Sequence, residues 1–208
     1  MDWKLDSVEA RVLGAMMEKE IATPDYYPLS LNALVNACNQ KSNRDPIVNY
    51  EDDGVEEALA RLREKGLAVR ITGRDTRVPK HAQRFTEEFN LGRREAALIC
   101  MLLLRGPQTV GELRGRTERL YQFDDLEAVE STLARLAEME FTEKLARQPG
   151  FKEARYGHLL CGRAEPGEEP SPPPEPVRGP SERDRIAALE AALADLRREF
   201  DDFRRSFE

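Results

Sequence analysis

The sequence predicts a mainly α-helical chain with small β-hairpins, an α+β architecture in which one unit is used twice before a separate helix ends the chain. Three observations carry this. Val55-Glu56-Glu57-Ala58-Leu59-Ala60-Arg61-Leu62 is echoed by Val129-Glu130-Ser131-Thr132-Leu133-Ala134-Arg135-Leu136. Upstream, Pro28-Leu29-Ser30-Leu31-Asn32-Ala33-Leu34 is echoed by Pro107-Gln108-Thr109-Val110-Gly111-Glu112-Leu113, so two copies share one order of elements. Within each copy the apolar pattern then changes from helical spacing to alternation, as expected where helices give way to a hairpin.

In the first copy, Val8, Val12, Ala15 and Met16 recur at helical spacing over about residues 8–19, and Asp6 with Glu9 has the spacing of a capping box. A second helix follows the N-cap Ser30 and buries Leu31, Leu34 and Val35. A third begins near Asp53, three residues before Glu56, with Val55, Ala58, Leu59 and Leu62 as its stripe. Gly66 is placed to end it in a left-handed conformation. Leu67, Val69 and Ile71 alternate with Ala68, Arg70 and Thr72 as a half-buried strand. A turn follows at residues 72–75, then a return strand at Thr76-Arg77-Val78, ended or confined to an edge by Pro79. Three helices and a two-stranded hairpin describe a winged helix, with the hairpin as the wing.

The second copy repeats the plan. Its first helix covers about residues 93–105 and stops at Gly106-Pro107. Thr109 with Glu112 caps the second helix, and Asp124 with Glu127 the third, whose stripe is Val129, Leu133 and Leu136. A hairpin lies between about Phe141 and Leu160, turning near Gln148-Pro149-Gly150. The predicted domains are therefore residues 1–84 and 93–162, joined by a connection at 85–92.

After Cys161 the composition changes. Residues 163–180 hold seven prolines and several glutamates with almost nothing apolar, the pattern of a disordered, extended linker. Residues 181–208 form the last predicted helix, where Ile186, Leu189, Leu193, Leu196, Phe200, Phe203 and Phe207 step by three and four as an a/d heptad stripe. Such a seam needs a partner, either a second copy of the chain or the chain's own body. Self-association through this coiled-coil helix gives the expectation of a homodimer.

The totals narrow the functional classes. The net charge of −7 means that any basic footprint must be local. Three cysteines, Cys38, Cys100 and Cys161, with no Cys-x-x-Cys pair, point away from a disulfide framework and toward a reducing compartment. The N-terminal residues show no signal-peptide pattern, and the longest apolar stretch, Ala96 to Leu104, is far shorter than the ~20 residues of a membrane span. The expectation is a cytoplasmic protein without a membrane partner.

Three segments also resemble the YceH-like family of bacterial proteins: residues 5–14, residues 27–46 with their Asn39-Gln40-Lys41-Ser42-Asn43-Arg44-Asp45-Pro46 run, and residues 102–109. The resemblance covers about residues 5–160. It implies a tandem winged-helix fold and carries over no catalytic residue.

Candidate sites come from the residues themselves. The loop at 39–46 offers Lys41, Asn43 and Arg44 as donors to base edges or phosphates, although Asn39, Asn43 and Asp45 also build Asx turns. The first wing is locally basic, with Arg70, Arg74, Arg77 and Lys80 as phosphate contacts. Against this, Glu51, Asp52, Asp53, Glu56 and Glu57 crowd the start of the third helix, and Asp124, Asp125, Glu127 and Glu130 do so in the second copy. The two histidines, His81 and His158, fall at matching positions after the wings and suit a structural role. No ligand cluster for zinc, phosphate loop, dinucleotide fingerprint or nucleophile elbow is present, so neither a cofactor nor a catalytic set is expected. The leading expectation is a DNA-binding, transcription-regulatory protein acting on double-stranded DNA. The alternative is a winged-helix module that binds another protein.

Overall fold

A computed structural model describes residues 4–72, 78–147 and 153–162. The chain divides into two units, Met1–Arg163 and Ala164–Glu208, and only the first contains described residues. These form seven α-helices and five short strands, an α+β fold with small antiparallel sheets. The predicted linker and last helix lie outside the described residues, as does the turn of each hairpin.

Helix α1 (Ser7–Ala22) starts at Asp6, whose carboxylate accepts from the Glu9 amide at 2.8 Å while Glu9 accepts from the Asp6 amide at 2.7 Å. The capping box expected from the spacing is present. The expected face is buried too, with Val12, Ala15 and Met16 at 0% exposure and Val8 packed against the core, but burial does not stop at that face. Every residue from Glu9 to Glu18 is buried, because α1 lies between α2 (Leu31–Cys38) and α3 (Asp52–Glu64) on its own half and α5 (Arg93–Arg105) of the other. A helix covered all round loses the one-sided pattern of a surface helix.

Ser30 caps α2 through a 3.3 Å bond from the Ala33 amide. The cap expected for α3 is absent: the helix starts after Glu51 with no side-chain cap. At its other end Gly66 has φ 75°, and the Leu67 amide closes the turn onto the Leu62 carbonyl at 2.8 Å.

Strands β1 (Leu29–Ser30), β2 (Ala68–Ile71) and β3 (Lys80–Gln83) form an antiparallel sheet in the order β1-β3-β2. Two expectations are corrected here. The return strand begins after Pro79 rather than ending at it, because β3 is the middle strand and uses its backbone groups on both sides. Its sequence, Lys80-His81-Ala82-Gln83, lacks the apolar alternation that marks a strand, which hid it. Leu67, just before β2, and Ala68 are buried but Val69 and Ile71 are 37% and 43% exposed, so burial fades along the strand instead of alternating.

The second half repeats the order. Helix α5 ends at Gly106, φ 66°. Thr109 and Glu112 form the expected capping box of α6 (Val110–Thr117). α7 (Leu126–Glu138) is capped one residue later than expected, by Asp125, which accepts from the Ala128 amide at 2.7 Å. Strands β4 (Thr142–Lys144) and β5 (Tyr156–His158) form its hairpin. Gln108 takes the place of β1 by exchanging backbone bonds of 3.0 and 2.7 Å with Tyr156.

The halves share one apolar core. Gly14 lets α1 approach α5 closely: a Cβ there would lie 3.0 Å from Leu103 Cβ and Leu104 Cδ2. Cys100 Sγ donates to the Gly14 carbonyl at 3.4 Å. The predicted connection contains α4 (Phe85–Glu88), and Phe85, Phe89 and Phe141 stack with centroids 4.9–5.4 Å apart, joining the connection to the start of the second hairpin. The Leu5 amide reaches the Leu160 carbonyl at 2.7 Å, tying the N-terminal segment to the end of β5's extension.

Candidate functional site

The loop between α2 and α3, which carries the most distinctive run of the sequence, is built inward. Arg44 is 4% exposed. Its guanidinium donates to Glu18 at 2.7 and 3.2 Å, to the Ala37 carbonyl at 2.8 and 3.1 Å, to the Asn43 carbonyl at 3.0 Å and to Gln40 at 3.1 Å. Burial alone would raise the Glu18 pKa, but bonds from Arg44 and Lys19 hold it below the ordinary value. Arg44 therefore cannot serve as the surface donor expected from the sequence, because its hydrogen-bonding capacity is spent on the core. The loop's other end is fixed by Arg11, which donates to the Cys38 and Pro46 carbonyls at 3.3 and 2.7 Å. The Asn39 side chain exchanges two 2.8 Å bonds with the Tyr50 backbone. The Asp45 amide donates to the Leu104 carbonyl of α5 at 2.9 Å, so the same loop also clamps the second half.

Of the other predicted contact residues, Lys41 is exposed, and Asn43 is half-buried at φ 56°. Arg70 is exposed and Lys80 half-buried. In the sheet register Arg70 pairs with His81 and Ile71 with Lys80, so Arg70 and Lys80 point to opposite faces of the sheet. Of the predicted contacts, Arg44 is therefore buried, and Arg70 and Lys80 do not share a face of the sheet. Arg74 and Arg77 lie outside the described residues, as do Ile186, Leu189, Leu193, Leu196, Phe200, Phe203 and Phe207. Tyr26 is 77% exposed, whereas Tyr27 is half-buried and its hydroxyl accepts from the Gln83 amide at 2.6 Å.

Carboxylates, by contrast, are displayed. Glu51, Asp52, Asp53, Glu56 and Glu57 are exposed at the start of α3, and Asp124, Asp125, Glu127 and Glu130 at the start of α7. Beyond them, α7 presents Ser131, Ala134 and Ala137 to solvent, small side chains that leave its surface accessible. Each acidic cluster complements its helix dipole and gives the equivalent position of the two halves the same sign.

Several buried ionic residues escaped sequence reasoning. Glu9 is 1% exposed and accepts from Lys65 at 2.7 and 2.8 Å, with Arg61 at 3.4 Å. Glu95 is 6% exposed and pairs with Arg135 at 3.0 Å. Charges inside an apolar helix were the available signal, since a buried carboxylate requires a partner.

His81 and His158 occupy the last strand of each hairpin, and both leave Nδ1 buried with no hydrogen-bond partner. Burial lowers the pKa of each, that of His158 to about 4. Among the described residues no three His, Cys, Asp or Glu side chains are grouped to hold a metal ion. No helix there is long and apolar enough to cross a membrane.

Residues 5–151 match the family model described as a protein of unknown function, DUF480. A UPF0502 protein of Solibacter usitatus is 66% identical over 208 residues, covering the whole of both chains. UPF0502 proteins of Opitutus terrae and Koribacter versatilis are 51% and 52% identical over 197 residues. The alignments cover 93% and 92% of this chain and 83% and 90% of those relatives. A family model spanning more than half of the chain, together with end-to-end relatives at this identity, settles the matter: the chain belongs to the DUF480 family, that of the bacterial UPF0502 proteins.

Proposed function

We propose that this chain is a non-catalytic protein-binding module, made of two winged-helix units packed through α1 and α5, whose contact surfaces are the carboxylate-bearing starts of α3 and α7. The observation that carries this reading is the sign and exposure of those surfaces. In a winged helix that reads DNA, the third helix approaches the major groove and its start faces phosphates. Here nine exposed carboxylates, five on the first half and four on the second, stand where phosphates would come. They repel a polyanion and complement a basic protein surface, steering its encounter and penalising wrong partners. The burial of Arg44 supports the same reading, since it removes a cation from the loop next to α3.

The test neutralises the surface without altering its shape. Asp53→Asn, Glu56→Gln, Glu57→Gln, Glu127→Gln and Glu130→Gln would be combined, and proteins captured from cell extract by this variant and by wild type compared by quantitative mass spectrometry. Partners that depend on wild-type carboxylates and are released by salt are expected. Identical capture by both proteins, with unchanged thermal stability, would contradict the assignment.

One observation favours DNA as a second reading. Arg63 and Arg70 have no carboxylate within ion-pair distance among the described residues, and they lie just before the first hairpin and on its first strand, where a wing would meet phosphate.

A further inference from the structure

His81 and Arg70 are cross-strand partners on one face of the first sheet. Arg63 lies in the last turn of α3, which leads into β2 and packs against it. The guanidiniums of Arg63 and Arg70 both act on the imidazole, with Glu56 as the one opposing carboxylate. Neither arginine forms an ion pair or side-chain hydrogen bond with the described residues. His81 itself is 5% exposed, and its Nδ1 is buried and unpartnered. Nε2 is not among the buried unpartnered atoms and makes no hydrogen bond to the described residues, so it is the ring nitrogen that reaches solvent. A neutral ring places its proton where water can satisfy it, which makes Nε2–H an outward donor on an immobilised side chain.

We propose that Arg63, Arg70 and the Nε2–H of His81 form a binding site for a compact tetrahedral oxyanion, the inorganic phosphate dianion. Two guanidiniums supply forked donors suited to such an anion, and the imidazole supplies a third donor fixed by burial. A compact dianion fits this setting better than a nucleic-acid backbone. An extended polyanion leaving the cations would meet Glu56 and the other exposed carboxylates of α3. The second half provides an internal contrast. There Thr142 stands opposite His158 where Arg70 stands opposite His81, and burial alone lowers the His158 pKa. An imidazole with a buried, unpartnered Nδ1 thus recurs without the cations. The proposal does not depend on the protein-binding reading, because it concerns a different ligand, held from the last turn of α3 rather than its start.

With only two histidines in the chain, the imidazole protons give a direct readout by NMR, assigned with the His158→Gln variant. The full-length protein would be titrated with inorganic phosphate against sodium chloride at matched ionic strength. The expected result is a saturable shift of the His81 resonances, with His158 unmoved. The titration midpoint of His81 should rise as phosphate binds, because a bound dianion favours the imidazolium form. Arg63→Gln and Arg70→Gln should each weaken binding by about tenfold, as expected for loss of one charged hydrogen-bonding group. Both side chains reach the surface, so thermal melting should show each variant folded. An unmoved His81, or equal shifts with chloride, would overturn the proposal. So would a His81 shift with duplex DNA but none with inorganic phosphate, which would reassign the cations to a nucleic-acid backbone.

Discussion

Replacing Arg44 with alanine is expected to destabilise the protein by about 3–5 kcal/mol, the cost of leaving a buried charge without its partner. For a chain of 208 residues this corresponds to a fall in Tm of about 10 °C. The change leaves Glu18, which is 7% exposed, with Lys19 as its one remaining cation at 3.0 Å, and removes the donors that hold the Ala37 and Asn43 carbonyls and Gln40. Because this loop also bonds to α5 through the Asp45 amide, the loss extends to the junction of the two halves. The physical origin is separable. Glu18→Gln alone removes the charge that Arg44 neutralises, and Arg44→Met combined with Glu18→Leu replaces the pair by apolar groups of similar volume. The double substitution should recover much of the stability lost in Arg44→Ala, since a buried pair exchanged for well-packed apolar side chains is often near neutral. Urea denaturation of the four proteins measures this. A destabilisation below about 1 kcal/mol for Arg44→Ala, the scale of an exposed ion pair, would show that the guanidinium is not committed to the core.

Acid should weaken the fold through His158. Its pKa is about 4 in the folded protein against an ordinary 6.5, because burial disfavours the charged ring. Above pH 6.5 both folded and unfolded chains hold the neutral ring, and its full stability is present. As pH falls from 6.5 toward 4 the unfolded chain takes up a proton that the folded chain refuses, so stability is lost across that window. The loss amounts to up to about 3 kcal/mol at the lower end. His81, whose pKa is also lowered by burial and by Arg63 and Arg70, acts in the same direction. Carboxylates titrate toward the bottom of this range as well, so the informative quantity is a difference. His158→Gln should flatten the dependence of Tm on pH relative to wild type. Parallel profiles for the two proteins would show that the ring is solvated in the folded state.

Much of the fold was legible because its signals are local. The Asp6–Glu9 and Thr109–Glu112 capping boxes, the Ser30 cap and the left-handed Gly66 depend on residues within a few positions of one another. The repeated order of elements followed from the internal repeat. What sequence alone could not locate was set by distant contacts. β3 is specified by pairing with β1 and β2 and by burial under the body, so its polar residues gave no strand pattern. α1 and α5 are buried on all sides because each covers the other, which no periodicity within one helix predicts. The 39–46 loop is where sequence left two readings open, a donor surface and a built turn. Lys41 and Arg44 have the same formal charge and lie three residues apart, yet one faces solvent and the other fills the core. The deciding partner, Glu18, is 26 residues away from Arg44 in sequence.

The exposed carboxylates at α3 and α7 distinguish a protein-binding surface from a DNA-binding one, and a single titration separates the two. Fluorescence anisotropy of labelled mixed-sequence duplex DNA would be followed against the full-length protein from low to physiological salt. No saturable binding is expected even at the lowest salt, because the third helices of both halves present negative charge to the duplex. Binding whose log–log salt slope is near −0.9 per phosphate contact, lost on Arg74→Ala plus Arg77→Ala, would contradict that expectation and establish the first hairpin as a DNA contact.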